Sequence, residues 1–270
     1  MSRIKSTFTR LQTGQRKALI PFITAGFPRP ELTVPLMRAL VAAGADILEL
    51  GVPFSDPMAD GPTIQRSSEA ALAQGMSLKK TLEITQEFRK TDAVTPVVLM
   101  GYANPIEAMG QETFARAAAE AGVDGVLTVD YALEEAAEFT AMLDNVGLDA
   151  IFLLAPTSKP ERWAELQKLA RGYVYYVSVK GVTGKRELDL AEIAARVRAI
   201  RAVLKLPVGV GFGIRDAKTA AAIAEHADAV IVGSRFIEEL ERSPSGEELA
   251  RISALAGELR RGLDGVTKNR

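Results

Sequence analysis

Two carboxylates that could do chemistry stand close together in DILELGVPFSDPMADGPTIQRSS, residues 46–68, with a third acid between them. Glu49 lies inside the apolar run Ile47, Leu48 and Leu50. An isolated ionised carboxylate is costly there, so such a group either shifts its pKa or has a dedicated partner. Partly stripped of water, it holds a proton nearer neutral pH, as a general acid or base must. A strand-end carboxylate paired with Lys or Arg fits the same placement. Asp56 in SDP and Asp60 in ADG sit in a Gly/Pro-rich loop, where each alone reads as a turn residue bonded to nearby backbone. Asp60 gains chemical interest as a partner of Glu49, across a loop that folds back over it.

A second pattern is built of glycine. GVTG (181–184), GFG (211–213) and GS (233–234) follow the last three apolar runs of the chain. Backbone N–H groups from such loops, joined by a helix N-terminus, form an anion cradle that needs no Lys or Arg. Glycine also serves tight turns, so it is the convergence of three segments that points to phosphate. Arg235 follows GS and either adds a charged contact or faces solvent.

Composition narrows the chemistry further. The 270 residues are 47% hydrophobic and 25% charged, enough for a sizeable core, and are read as one domain over 1–270. The net charge of −1 is spread along the chain, which argues against a nucleic-acid partner. The lack of cysteine rules out disulfides, thiolate metal sites and cysteine nucleophiles, and His226, the single histidine, rules out a multi-histidine metal cluster. No metal is expected. The polar N-terminus has no apolar signal core and no run approaches a membrane-spanning length, so a cytoplasmic protein with no membrane partner is expected.

The elements that must position these residues follow from periodicity. Eight short apolar runs, LIPFIT, DILEL, PVVLM, DGVLTV, DAIFLL, YVYYVS, PVGVGF and DAVIVGS, alternate with helical stretches rich in Ala, Leu, Glu, Lys and Arg. Continuous apolar strands joined by helical crossovers imply a parallel sheet, and eight units without a linker imply a closed (β/α)8 barrel; a doubly wound open sheet is the alternative. Residues before the first run and GEELARISALAGELRRGL near the C-terminus read as extra helices that pack outside the repeat. Long intervals after DILEL and YVYYVS fall at the C-terminal face, where barrel active sites are built. Side chains alternate along DILEL, so if Leu48 and Leu50 meet the outer helices, Glu49 points into the barrel near its open end.

LELGVPFSDPMADGPTIQ, with PFITAGFP before it and YANP, SVKGVTG, GFGI and IVGS after it, closely resembles the tryptophan synthase alpha subunit family over essentially the whole chain. The resemblance implies a (β/α)8 barrel that cleaves indole-3-glycerol phosphate to indole and glyceraldehyde 3-phosphate by a retro-aldol reaction. It makes Glu49 the acid/base residue and Asp60 the carboxylate facing the indole N–H. The indole slot falls to Phe22, Met100, Leu127, Leu153, Tyr175, Phe212 and Val232, with Tyr175 also placed to hold Glu49 by its hydroxyl. Phosphate falls to Gly184, Gly213, Gly233 and Ser234, under a loop carrying Thr183.

The family also implies a pyridoxal-phosphate beta subunit as partner in an alpha2beta2 heterotetramer, with no cofactor in this chain. Pro53, Asp56, Pro57 and Asn104 are expected at the interface. Met100, Tyr131 with Ala132, Lys185 with Arg186, and Arg235 depart from the usual pattern. A stand-alone lyase and a non-catalytic activator of a beta subunit remain as alternatives, and a sugar-phosphate isomerase barrel would leave ADGPTIQ unexplained.

Overall fold

The computed structural model describes residues 2–177, 189–211 and 213–267. Eight parallel strands close into a barrel in chain order, which excludes the open sheet: β1 (Ala18–Thr24), β2 (Leu48–Gly51), β3 (Val97–Gly101), β4 (Gly125–Thr128), β5 (Asp149–Leu154), β6 (Val174–Val177), β7 (Val208–Gly211) and β8 (Ala229–Val232), with β1 pairing both β2 and β8. The helices are α1 (Arg3–Thr13), α2 (Thr33–Ala42), α3 (Pro62–Ala73), α4 (Leu78–Arg89), α5 (Ala103–Met109), α6 (Gln111–Glu120), α7 (Ala136–Asn145), α8 (Trp163–Leu169), α9 (Leu190–Leu204), α10 (Ala217–Ala224), α11 (Ser234–Arg242) and α12 (Glu248–Thr267). Each of the eight apolar runs coincides with a strand to within one or two residues. Two helices stand where no helix was read from the sequence: α5, which begins inside YANP, and the short α11, which begins at the serine of GS. Among the described residues no helix is long and apolar enough to cross a membrane.

Strand alternation divides the buried side chains into two clusters. Ile20, Ile47, Val98, Leu127, Ile151 and Ile231 belong to the cluster inside the barrel. Leu19, Leu48, Leu50, Leu99 and Val230 meet the helices. Leu48 and Leu50 therefore face outward, and Glu49 faces in. The first extra helix does more than flank the repeat: Ile4, Phe8 and Leu11 of α1 join the interior cluster, closing the N-terminal end of the barrel.

The same end is tied together by aspartates that precede strands. Asp46 accepts from Leu19 N at 3.0 Å and pairs with Arg260 of α12 at 2.9 Å. Asp124 accepts from Val97 N at 2.8 Å and pairs with Arg89 at 2.6 Å. Asp228 accepts from Val208 N at 2.9 Å and pairs with Arg201 at 2.6 Å. Each carboxylate thus satisfies an amide at the start of a strand, the first of β3 and β7 and the second of β1, and is neutralised from the helix layer, which anchors one end of the barrel and leaves the other for loops that do chemistry.

Candidate active site

Glu49 is the second of the four residues of β2, in register with Phe22 of β1 and Val98 of β3, and is fully buried. Tyr173, just before β6, donates its hydroxyl hydrogen to Glu49 Oε1, while Oε2 has no hydrogen-bond partner in the protein. Among the described residues no Lys or Arg pairs with Glu49, so the structural ion pair is ruled out there. Burial pushes the carboxyl up to about 7, and the Tyr173 bond opposes that rise only in part. The hydroxyl that Glu49 receives is therefore Tyr173's rather than Tyr175's, which corrects the expectation from sequence. Both tyrosines are on the inward side of YVYYV, and alternation cannot choose between them.

Asp60 lies in the loop between β2 and α3. Its side chain departs from the turn reading: Oδ2 accepts a hydrogen bond from the Tyr102 hydroxyl at 2.8 Å, and no side-chain cap forms on α3. The Tyr102 oxygen also accepts from Ala59 N at 3.0 Å, so one phenol grips the loop at two adjacent residues. Burial raises the Asp60 carboxyl above its ordinary value, with the Tyr102 bond acting against it. Phe54 lies against the Tyr102 ring at 5.3 Å, and its backbone N and O both bond Ser68 Oγ of α3. The loop is thus fastened by its own chain. The Asp56 side chain accepts from the Ser55 hydroxyl at 2.5 Å rather than from backbone, and its main-chain carbonyl accepts from Met58 N at 2.8 Å.

The cavity beside Asp60, walled by Phe22, Met100, Tyr102 and Val129, measures about 20 Å³. That holds roughly one water, so an aromatic ring enters only when the walls shift. Leu127 and Tyr175 are in the interior cluster, and Met100 and Leu153 pack against it. Val232 groups instead with Val230 in the outer cluster, which also contains Phe22. A Cβ on Gly51 would overlap the Phe22 ring, and one on Gly211 would overlap the Tyr175 hydroxyl. Gly211 therefore makes room for an aromatic side chain.

Of the remaining glycines, Gly213 has φ +74°, a left-handed conformation that favours glycine. Gly233 caps α11, whose first turn contains no acid and whose first amides receive no side-chain cap, the arrangement an anion needs at a helix N-terminus. Ser234 is the first residue of that helix and is exposed. Arg235 pairs with Glu239 one turn on at 2.8 Å. Phe212, Thr183 and Gly184 lie outside the described residues, as do Lys185 and Arg186.

At the expected interface Asp56 and Asn104 are exposed and Pro57 is half-buried, but Pro53 is buried within the chain and presents no surface. Met58 is 86% exposed. Among the described residues no cluster of acids and histidine is placed to hold a metal ion.

Sequence reasoning missed Tyr102 and Tyr173 as partners of the two acids. A hydroxyl just past the C-terminal end of β3 was the available signal for Tyr102. For Tyr173 it was the paired tyrosines of YVYYV.

A closed parallel barrel with a neutral-range carboxyl buried toward its C-terminal mouth, a second acid in the loop above and a glycine-capped helix after β8 defines a (β/α)8-barrel enzyme with an acid–base site. Comparison with known proteins identifies which. A sequence profile described as "Tryptophan synthase alpha chain" matches residues 8–263. The chain is 63% identical over 264 residues to the tryptophan synthase alpha chain of Azoarcus sp. (strain BH72), covering 98% of this chain and 97% of that one. It is 64% identical over 268 residues to that of Dechloromonas aromatica (strain RCB), covering 99% and 100%. Its fold matches the crystal structure of tryptophan synthase subunit alpha from Legionella pneumophila str. Paris with a TM-score of 0.91 at 44% identity, covering 98% and 99% of the two chains. A chain of tryptophan synthase from M. tuberculosis in its aminoacrylate-bound form matches with a TM-score of 0.87 at 39% identity, covering 97% and 100%. The chain belongs to the tryptophan synthase alpha chain family.

Proposed function

We propose that Glu49 and Asp60 together carry the family's reaction in this chain, the retro-aldol cleavage of indole-3-glycerol phosphate to indole and D-glyceraldehyde 3-phosphate. The chain is accordingly a carbon–carbon lyase of tryptophan biosynthesis. Cleavage requires a proton at indole C3, so that the ring accepts the bonding electrons, and loss of the side-chain hydroxyl proton as the aldehyde forms. Glu49 moves these protons; a carboxyl held near 7 gives and takes them at little cost. Protonation at C3 places positive charge on the ring nitrogen, and Asp60 accepts a hydrogen bond from that N–H where the charge develops. Phe22, Met100, Leu127 and Tyr175 bound the ring, and the amides around Gly213, Gly233 and Ser234 take the phosphate.

General acid–base chemistry is sufficient for this cleavage, and pyridoxal phosphate belongs to the beta subunit of the family. The chain docks on that subunit with its C-terminal mouth, where Asp56, Met58 and Asn104 are exposed around the loop carrying Asp60. The observation that supports the reading best is Glu49 itself, fully buried, without a cationic partner among the described residues and with one oxygen uncommitted. The test is indole release from indole-3-glycerol phosphate by the purified chain, alone and with a cognate beta subunit. Release that rises with the partner is expected. A chain that activates the partner but releases no indole in either setting would be a non-catalytic activator.

A further inference from the structure

At the end of the barrel opposite the proposed active site, α1, the turn from α9 into β7 and the last turn of α12 border a cavity of about 620 Å³ that is open to solvent on one side. That is the size of a small-molecule site. Phe8, Leu11 and Val266 give it an apolar wall. Arg16, Lys17, Arg201 and Lys205 give it four cations against one lining carboxylate, Asp228. That carboxylate is committed to Arg201 at 2.6 Å and to Val208 N at 2.9 Å. Arg16 pairs with Asp264 at 3.2 Å, and Lys17 Nζ donates to the Ala227 carbonyl at 2.7 Å. Lys205 is exposed and has no ion-pair partner among the described residues.

The backbone supplies a second observation. Among the described residues only Gln15 and Lys205 combine a side chain with positive φ, +52° at each, and both line this cavity. Both follow helix ends, where glycine usually takes the left-handed position. Here an amide and an ammonium are kept at that position despite the strain, as happens at binding sites.

We propose that this cavity is a second ligand site, one that takes a small amphiphilic anion: an apolar body seated on Phe8, Leu11 and Val266, carrying a doubly charged phosphomonoester head held by Lys205, Arg16 and the Gln15 amide. The inference stands independently of the chemistry assigned to Glu49 and Asp60.

The test is titration of the isotope-labelled chain with phenyl phosphate, followed by the backbone amide resonances of Gln15 and Lys205. Saturable shifts are expected. Lys205→Asn, which tolerates the left-handed backbone, should raise the Kd read at Gln15 at least tenfold, and Lys205→Glu should raise it further. Gly213→Trp, aimed at the phosphate site of the other mouth, should leave that Kd unchanged. Inorganic phosphate and benzyl alcohol should each bind at least tenfold more weakly than phenyl phosphate. Shifts confined to the neighbourhood of Gly233 and Ser234, or a Kd at Gln15 indifferent to both Lys205 variants, would overturn the site. Equal binding of inorganic phosphate would overturn its amphiphilic character.

Discussion

Tyr173 donates its hydroxyl hydrogen to one oxygen of Glu49 and leaves the other oxygen facing the barrel interior without a partner. The bond fixes the carboxyl's orientation while keeping half of it available to exchange a proton. Glu49→Gln keeps the size and the bond to Tyr173 but cannot carry the proton. Indole release should fall by about a thousandfold or more, the scale on which acid–base groups act, with KM changed little. Near wild-type release would show that Glu49 is not the proton carrier.

The same substitution should alter stability in the opposite sense. The Glu49 carboxyl is raised by burial from 4.5 to about 7 in the folded chain. Between those values the folded state keeps a proton that the unfolded state has already lost, so stability falls as pH rises through this window and levels off above it. The shift corresponds to about 3 kcal/mol as an upper figure. Chemical unfolding from pH 4.5 to 8 should show a flatter profile in Glu49→Gln than in wild type. Parallel profiles would mean that the carboxyl is not raised. Asp60 is raised in the same direction, but it is present in both chains and drops out of the comparison.

Tyr173→Phe removes the one contact that opposes the rise in Glu49's pKa. The carboxyl should then titrate higher, and the break in the pH–rate profile should move upward with it. The rate at pH 7 should drop by about tenfold, well short of the loss in Glu49→Gln, because an orienting bond is worth less than the proton itself. A lower rate with an unmoved break would mark Tyr173 as a packing residue.

Tyr102 holds Asp60 and Ala59 through a single oxygen, so Tyr102→Phe frees the loop at both points. KM should rise severalfold and kcat should fall less than in Asp60→Asn, which loses the charge that faces the ring cation. If the two variants lost kcat equally, Asp60 would depend entirely on Tyr102 for its place.

The parts of this site that were legible in the sequence are those fixed by local pattern. Alternation sets Glu49 on the face opposite Leu48 and Leu50, and since those leucines meet the helices it points inward. Strand count and closure followed from eight apolar runs with helical spacing. What could not be read was contact between residues far apart in the chain: Tyr173 and Glu49 are 124 positions apart, Tyr102 and Asp60 are 42. Such pairs depend on strand stagger and side-chain reach, which a linear pattern does not carry. Pro53 misled for a related reason, since a proline in a loop reads as surface until the fold buries it. Helix α5 was hidden by Pro105 in YANP, which sits in the helix's first turn, where its missing N–H costs nothing.

Gly211 has no space for a side chain: an added Cβ would overlap the Tyr175 hydroxyl. Tyr175 is buried inside the barrel, in register with Gly209 of β7, and has little room to retreat. Gly211→Ala should therefore force the ring out of place at the wall of the indole slot. Overpacking of this kind costs about 1–3 kcal/mol, and the displaced ring should raise KM for indole-3-glycerol phosphate more than it lowers stability. Tyr175→Leu shortens the obstructing side chain, so the double variant should recover part of the stability lost by Gly211→Ala alone. Unfolding curves of the two single variants and the double variant, set out as a mutant cycle, measure this directly. A coupling energy near zero would show that Gly211 is small for a reason other than Tyr175.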